Sequence, residues 1–135
     1  MKPDVLTIIR TKLLANSAIT AIVGSNIGVR KRPIAKANAQ ITMRKTFGVS
    51  NSILPATRHD IFIDIWVLQK SVTEPYKTTT TLVEKILDVL NRMGESLNSE
   101  NRVVNQIVKT DAEIDYTEDN EYWHGMINFE CVTNE

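Results

Sequence analysis

The run His59-Asp60-Ile61-Phe62-Ile63-Asp64-Ile65-Trp66-Val67-Leu68-Gln69, with the helix-patterned stretch Thr73 to Gly94 behind it, decides how this chain folds. Ile61, Ile63, Ile65 and Val67 are β-branched and apolar, as a core-facing strand surface requires. The even positions are mixed: Asp60 and Asp64 suit water, whereas Phe62, Trp66 and Leu68 call for cover. One face is therefore buried outright and the other in patches. The helix is expected to take Thr73 as its N-cap, with Glu74 and Pro75 in the first turn. There the missing proline N–H costs nothing and a carboxylate meets the positive end of the dipole. Leu82, Ile86, Leu90 and Met93, flanked by Val83, Leu87 and Val89, form a wide apolar stripe at helical spacing. Thr78 to Thr81 belong to its early, exposed turns, and Met93-Gly94 reads as its stop.

Upstream, Pro3-Asp4 opens a helix whose Val5, Ile8, Ile9 and Leu13 share one face. Asn16-Ser17 interrupts it, and Ser17 is expected to cap a second short helix, Ala18 to Val23, that stops at Gly24. Ile27 to Arg32 reads as a strand ended by Pro33, and Ile41 to Phe47 as another. Gly48 to Thr57 reads as a loop of about ten residues, long for a compact domain. Its Val49, Ile53 and Leu54 are candidates for contact with a partner or with the chain's own core. Downstream of the polar loop Glu95 to Asn101, Val103 to Lys109 continues into Asp111 to Tyr116. A turn over Thr117 to Asn120 then leads into a last strand, Glu121 to Val132. These two segments should pair as an antiparallel hairpin, with Trp123, Gly125, Ile127, Phe129 and Cys131 on one face of the last strand. The expected class is α+β: a mostly antiparallel or mixed sheet of four to five strands, with one long helix and short N-terminal helices packed on it.

The 135 residues suit one domain spanning 1–135. No apolar run is long enough for a bilayer, so no membrane partner is expected, and the N-terminus lacks the order of a signal peptide. Cys131 is the only cysteine, which fits synthesis in a reducing cytoplasm. The net charge is zero but lopsided. Residues 1–58 hold ten Lys and Arg against one acid, a net of +9, and residues 59–135 hold six against fifteen, a net of −9. Folding can mix these halves. Alternatively, it leaves a basic and an acidic side, which favours head-to-tail association between copies. The residues that would meet there are Arg30, Lys31, Arg32, Lys36, Arg44 and Lys45 on one side and Asp111, Glu113 and Asp115 on the other.

The chain offers little to catalysis. It has no Gly-rich phosphate loop, no zinc-spaced Cys or His cluster and no Gly-x-Ser-x-Gly elbow. His59 and Asp64 are five apart and fall on opposite faces of a strand, whereas His124 can approach Asp60 or Asp64 if the strands are neighbours. Asp111 to Glu121 lacks the calcium-loop pattern, so a solvated hairpin is the simpler reading. No enzyme activity, metal or cofactor is expected. The basic first half has Phe47 as its one aromatic and no stacking platform, which argues against sequence-specific nucleic-acid binding.

Several short motifs recur in a familiar order. They are Ile-Thr-Ala-Ile-Val-Gly-Ser-Asn-Ile at 19–27, a basic strand, Ile-x-Ile-Asp-Ile-Trp at 61–66 before the long helix, and Tyr-Trp-His-Gly-Met-Ile-Asn-Phe at 122–129. In this order the chain resembles the tail-completion, or tail-terminator, proteins of long-tailed bacteriophages, and the resemblance covers nearly the whole length. It implies a structural virion protein at the tail–neck junction, assembled as a hexameric ring. That ring caps the tail tube protein below, stops its polymerisation and offers a docking surface to the head–tail connector or stopper protein above, while DNA passes through without sequence-specific binding. The alternatives are a head-completion or adaptor protein of the same particle and a non-specific nucleic-acid binder using Arg30, Lys31, Arg32, Lys36, Arg44 and Lys45. The weakest is a hydrolase or metal enzyme around His59, Asp64 and His124.

Overall fold

The computed structural model describes residues 5–29, 33, 37–46, 49–50, 56–91, 104–117 and 121–134. The elements are α1 (Val5–Leu14), α2 (Ser17–Val23), β1 (Ile27–Val29), β2 (Ala39–Lys45), β3 (Val49–Ser50), β4 (Ala56–Leu68), α3 (Pro75–Asn91), β5 (Val104–Thr117) and β6 (Tyr122–Asn134). The strands form one mixed sheet in the order β1-β2-β4-β6-β5, with β3 added beside the start of β4. β1 runs parallel to β2 and every other pair is antiparallel. This is the α+β class expected from the residue pattern, with five strands along the main path.

β4 is the spine because both of its neighbours bring apolar residues to the same face. One row of the ladder is Ile41, Ile65, Gly125 and Ile114; the next is Met43, Ile63, Ile127 and Ala112. Ile61, Ile63, Ile65 and Val67 are fully buried on that face, as are Ile41, Met43, Ile127 and Phe129. All three helices lie over it. α1 contributes Val5, Ile8, Ile9 and Leu13, α2 contributes Ile19 and Val23, and α3 contributes Leu82, Ile86 and Leu90. The N-terminal helices therefore do not cover Phe62, Trp66 and Leu68, which lie on the opposite face of β4.

α3 seats closely on β6 because Gly125 has no side chain. A Cβ there would stand 3.1 Å from both Thr79 Cγ2 and Val83 Cγ2. Thr79 is consequently fully buried, unlike the exposed early turn anticipated for the threonine run. Its hydroxyl is satisfied locally by donating to Pro75 O at 2.8 Å, and Thr78 and Thr80 likewise bond the carbonyls of Glu74 and Tyr76.

Several boundaries differ from expectation; β2 runs Ala39–Lys45 rather than Ile41 to Phe47, and β6 continues to Asn134. The long helix begins at Pro75 rather than at a Thr73 cap: Glu74 sits just outside with φ of 54°, so the chain turns sharply there and proline takes the first helical position. The Glu74 carboxylate then pairs with Lys77 at 3.7 Å. The cap of α2 is Asn16 rather than Ser17, because the Asn16 carboxamide oxygen reaches both Ala18 N and Ile19 N. Gly24 ends that helix at φ of 60°, the left-handed value glycine adopts freely. Finally, the segment read as a loop from Gly48 to Thr57 contains β3 and the start of β4. Val49 pairs with Arg58 and Ser50 with Thr57, because β4 keeps its pairing with β6 out to Ala56 opposite Asn134. The proposed Met93-Gly94 stop lies outside the described residues.

A candidate assembly surface

The sheet has one covered face and one face over which no described helix packs. On the latter, β2 presents Gln40, Thr42 and Arg44, β4 presents Asp60, Phe62, Asp64, Trp66 and Leu68, and β6 presents Tyr122, His124, Met126, Asn128 and Glu130. These residues lock one another in place. Asp64 is almost fully buried, yet its carboxylate meets His124 Nε2 at 2.7 Å and the Arg44 Nε at 3.7 Å. The His124 ring lies flat on Trp66, with centroids 4.0 Å apart and 4° between the planes. Trp66 Nε1 donates to Thr42 Oγ1 at 3.0 Å, and the edge of Tyr122 meets the same indole. Arg44 completes the patch by lying 4.3 Å over the centre of Phe62. A buried carboxylate is tolerable because two nitrogen groups flank it.

This arrangement holds charge and shape. As the spacing indicated, His59 belongs to the helix-covered face and Asp64 to the other, so the two do not form a pair. The anticipated approach of His124 to Asp64 is present.

The proposed interface residues are spread across the sheet. Arg44 is half-exposed on the open face, and Lys45 is on the helix-covered side opposite Ile61. Asp111, Glu113 and Asp115 lie on β5 opposite Asn128, Met126 and His124. Asp115 is exposed and accepts a bond from the Tyr116 N–H. Arg44 and Asp111 share a ladder row, three strand spacings apart along it, roughly 14 Å. Val49 is in β3, and Arg30, Lys31, Arg32, Lys36, Ile53 and Leu54 lie outside the described residues.

Among the described residues of the strands, Arg44 and Lys45 lie on β2, toward one edge of the sheet, whereas Asp111, Glu113 and Asp115 belong to β5, the strand at the other edge. β1 and β2, from the basic half, occupy one side; β6 and β5, from the acidic half, occupy the other. At the acidic end Glu121 grips Lys70 at 2.9 Å, and this hydrogen bond and charge raise the Lys70 ammonium above its usual 10.5. Two roles had not been assigned from the sequence. Arg10 reaches from α1 to donate to Ile27 O at 2.7 Å, and Gly125 seats α3. A glycine inside an apolar strand is the usual sign of close backbone approach, so the second was findable. Nothing in the spacing of Arg10 points to its partner.

No protein-family model and no curated protein matches the chain. Its fold is similar to that of a chain in the solved virion of a native gene transfer agent particle. The TM-score is 0.73 at 12% identity, covering 97% of this chain and 95% of that one. The two folds agree over nearly their full lengths.

Proposed function

We propose that this protein is a structural component of a phage-type virion, and within it the ring that ends the tail tube. The observation that carries the virion reading is the fold shared almost end to end with a chain of a virion, since neither chain has a substantial segment left over for another architecture. The tail position rests on the order of sequence motifs, above all Ile61 to Trp66 ahead of the long helix and Tyr122 to Phe129 at the end. The mechanism is capping by shape. One face of the ring matches the last tube ring; the other is unlike a tube subunit, so addition stops and the head connector docks instead. The role needs no catalytic group, and the locked patch around Asp64, His124 and Trp66 suits a part that works by presenting a fixed surface.

The test is assembly of the matching tail tube protein with and without this chain, followed by electron microscopy. The expected result is tubes that stop growing and carry a six-fold ring at one end. Tubes of unchanged length with bare ends would refute tube capping. If the ring instead bound only the head connector, the neck-adaptor reading would replace it. Binding to arbitrary duplex DNA that fell steeply with salt would favour the nucleic-acid reading.

A further inference from the structure

We propose that the cleft where the α1–α2 elbow meets α3 binds a small phosphate-type oxyanion that retains an O–H. This site goes beyond the ring reading and does not depend on it. The axes of α1 and α2 are bent 88° from one another, and the second half of α3 closes the corner between them. The cleft encloses about 540 Å³, within the span of about 300–1,000 Å³ usual for ligand sites. Its charged and polar lining comes from three elements. Lys12 lies in the last turn of α1, Asn16 and Ser17 begin α2, and Lys85 and Asp88 belong to α3.

The charged groups here lack partners among the described residues. Lys85 and Asp88 stand three residues apart on α3, a spacing at which opposite charges can pair. They form no ion pair, and neither does Lys12. Asn16 uses its carboxamide oxygen to accept from Ala18 N and Ile19 N, which fixes the group and leaves its NH2 as a donor. The Ser17 hydroxyl likewise has no partner among the described residues. Two half-buried ammonium groups in one cleft repel each other until an anion stands between them. Phosphate oxygens accept from Lys12 and Lys85 and from the neutral donors of Asn16 and Ser17. Asp88 then selects among anions, because an ionised carboxylate only accepts. Hydrogen phosphate offers it an O–H. Sulfate and the phosphodiesters of DNA have none at neutral pH and set bare oxygens against it. The ligand class is therefore the free, singly protonated ion.

Inorganic phosphate is the probe and the full chain the sample. Titration at constant ionic strength, with chloride as the balancing anion, is followed by two-dimensional amide NMR. Saturable shifts are expected at Ser17, Ala18, Lys85 and Asp88. Lys12→Gln and Lys85→Gln remove a charge at nearly unchanged length, and each should weaken binding about tenfold or more. Sulfate should bind about tenfold more weakly than phosphate. Asp88→Asn, which can donate to a bare oxygen, should bring the two anions level. A short DNA duplex at matched phosphate concentration should leave these amides in place. Circular dichroism checks the fold of each variant; if one unfolds, the wild-type shifts and the phosphate-to-sulfate ratio still decide. No saturable shift with phosphate, undiminished binding in both folded lysine variants, or sulfate binding as tightly as phosphate to the wild-type chain overturns the proposal. So does a duplex that moves the same amides and loses that effect in the lysine variants, since the site would then belong to a nucleic-acid backbone.

Discussion

Gly125→Ala tests the closeness of the helix layer to the sheet. The added Cβ would stand 3.1 Å from Thr79 Cγ2 and Val83 Cγ2 and 3.4 Å from Ile65 Cβ. Carbon–carbon contacts are comfortable at about 3.5–4.0 Å, so α3 must retreat by roughly half an ångström and loosen Leu82 and Ile86 from their seats. Overpacking of this kind costs about 1–3 kcal/mol. Alanine offsets up to about 1 kcal/mol through its smaller loss of backbone freedom, leaving a net loss of about 1–2 kcal/mol. With an unfolding entropy of about 2.1 cal/mol/K per residue, Tm should fall by roughly 4–7 °C, measured by circular dichroism at fixed protein concentration. Thr79→Ser supplies the control, since it removes the crowded methyl and keeps the hydroxyl bond to Pro75 O. Alone, it should cost about 0.8 kcal/mol for the lost buried methyl; in the Gly125→Ala background it should be neutral or restorative, a coupling of at least about 0.5 kcal/mol. A Gly125→Ala chain as stable as wild type, or strict additivity of the two changes, would refute the close-packing argument.

Asn16→Ala should cost about 1 kcal/mol in chemical denaturation while Ser17→Ala stays within about 0.5 kcal/mol, since Asn16 caps α2. Thr42→Val removes the acceptor of Trp66 Nε1 and should cost about 1–3 kcal/mol, with a change in the near-ultraviolet dichroism of the indole. An unchanged midpoint and spectrum would show that the bond does not order the patch. Lys70 should titrate above 10.5 by NMR and return to that value in Glu121→Gln. Because its folded value lies above its unfolded one, its favourable contribution is complete below pH 10.5 and fades as pH rises through the folded value.

The central strand, the long helix and the terminal hairpin were legible because their residues report burial directly. Ile61, Ile63 and Ile65 alternate, and Leu82, Ile86 and Leu90 recur at helical spacing, whichever partners they meet. The helix starts were read less well for a local reason. Asn16 and Ser17 are both good caps, as Thr73 would be, and the winner is set by which backbone bends out of the helix, at Asn16 and at Glu74. β3 was missed because two residues carry no period. The side of the sheet that the N-terminal helices cover could not be decided either, since Phe62, Trp66 and Leu68 are as apolar as a covered face requires. Among the described residues, Arg44 lies over Phe62 while His124 and Tyr122 meet Trp66, an arrangement that depends on strand order.

That strand order also leaves β5 as an outer strand, with no described strand beyond it. A long outer strand such as β5 is an aggregation hazard unless it is guarded, and alternating carboxylates with two irregularities in its pairing are a strong guard against copies of itself. At the opposite edge the described part of β1 is three uncharged residues, Ile27–Val29, and Ile27 O already accepts from Arg10. Head-to-tail contacts either close or grow into a filament. Closure needs a fixed angle between neighbours, hence subunits that do not flex at the contact. The Asp64–His124–Trp66–Thr42 network ties β2, β4 and β6 together across the middle of the sheet. It fixes these three strands relative to one another, so any contact made through this face starts from an ordered surface.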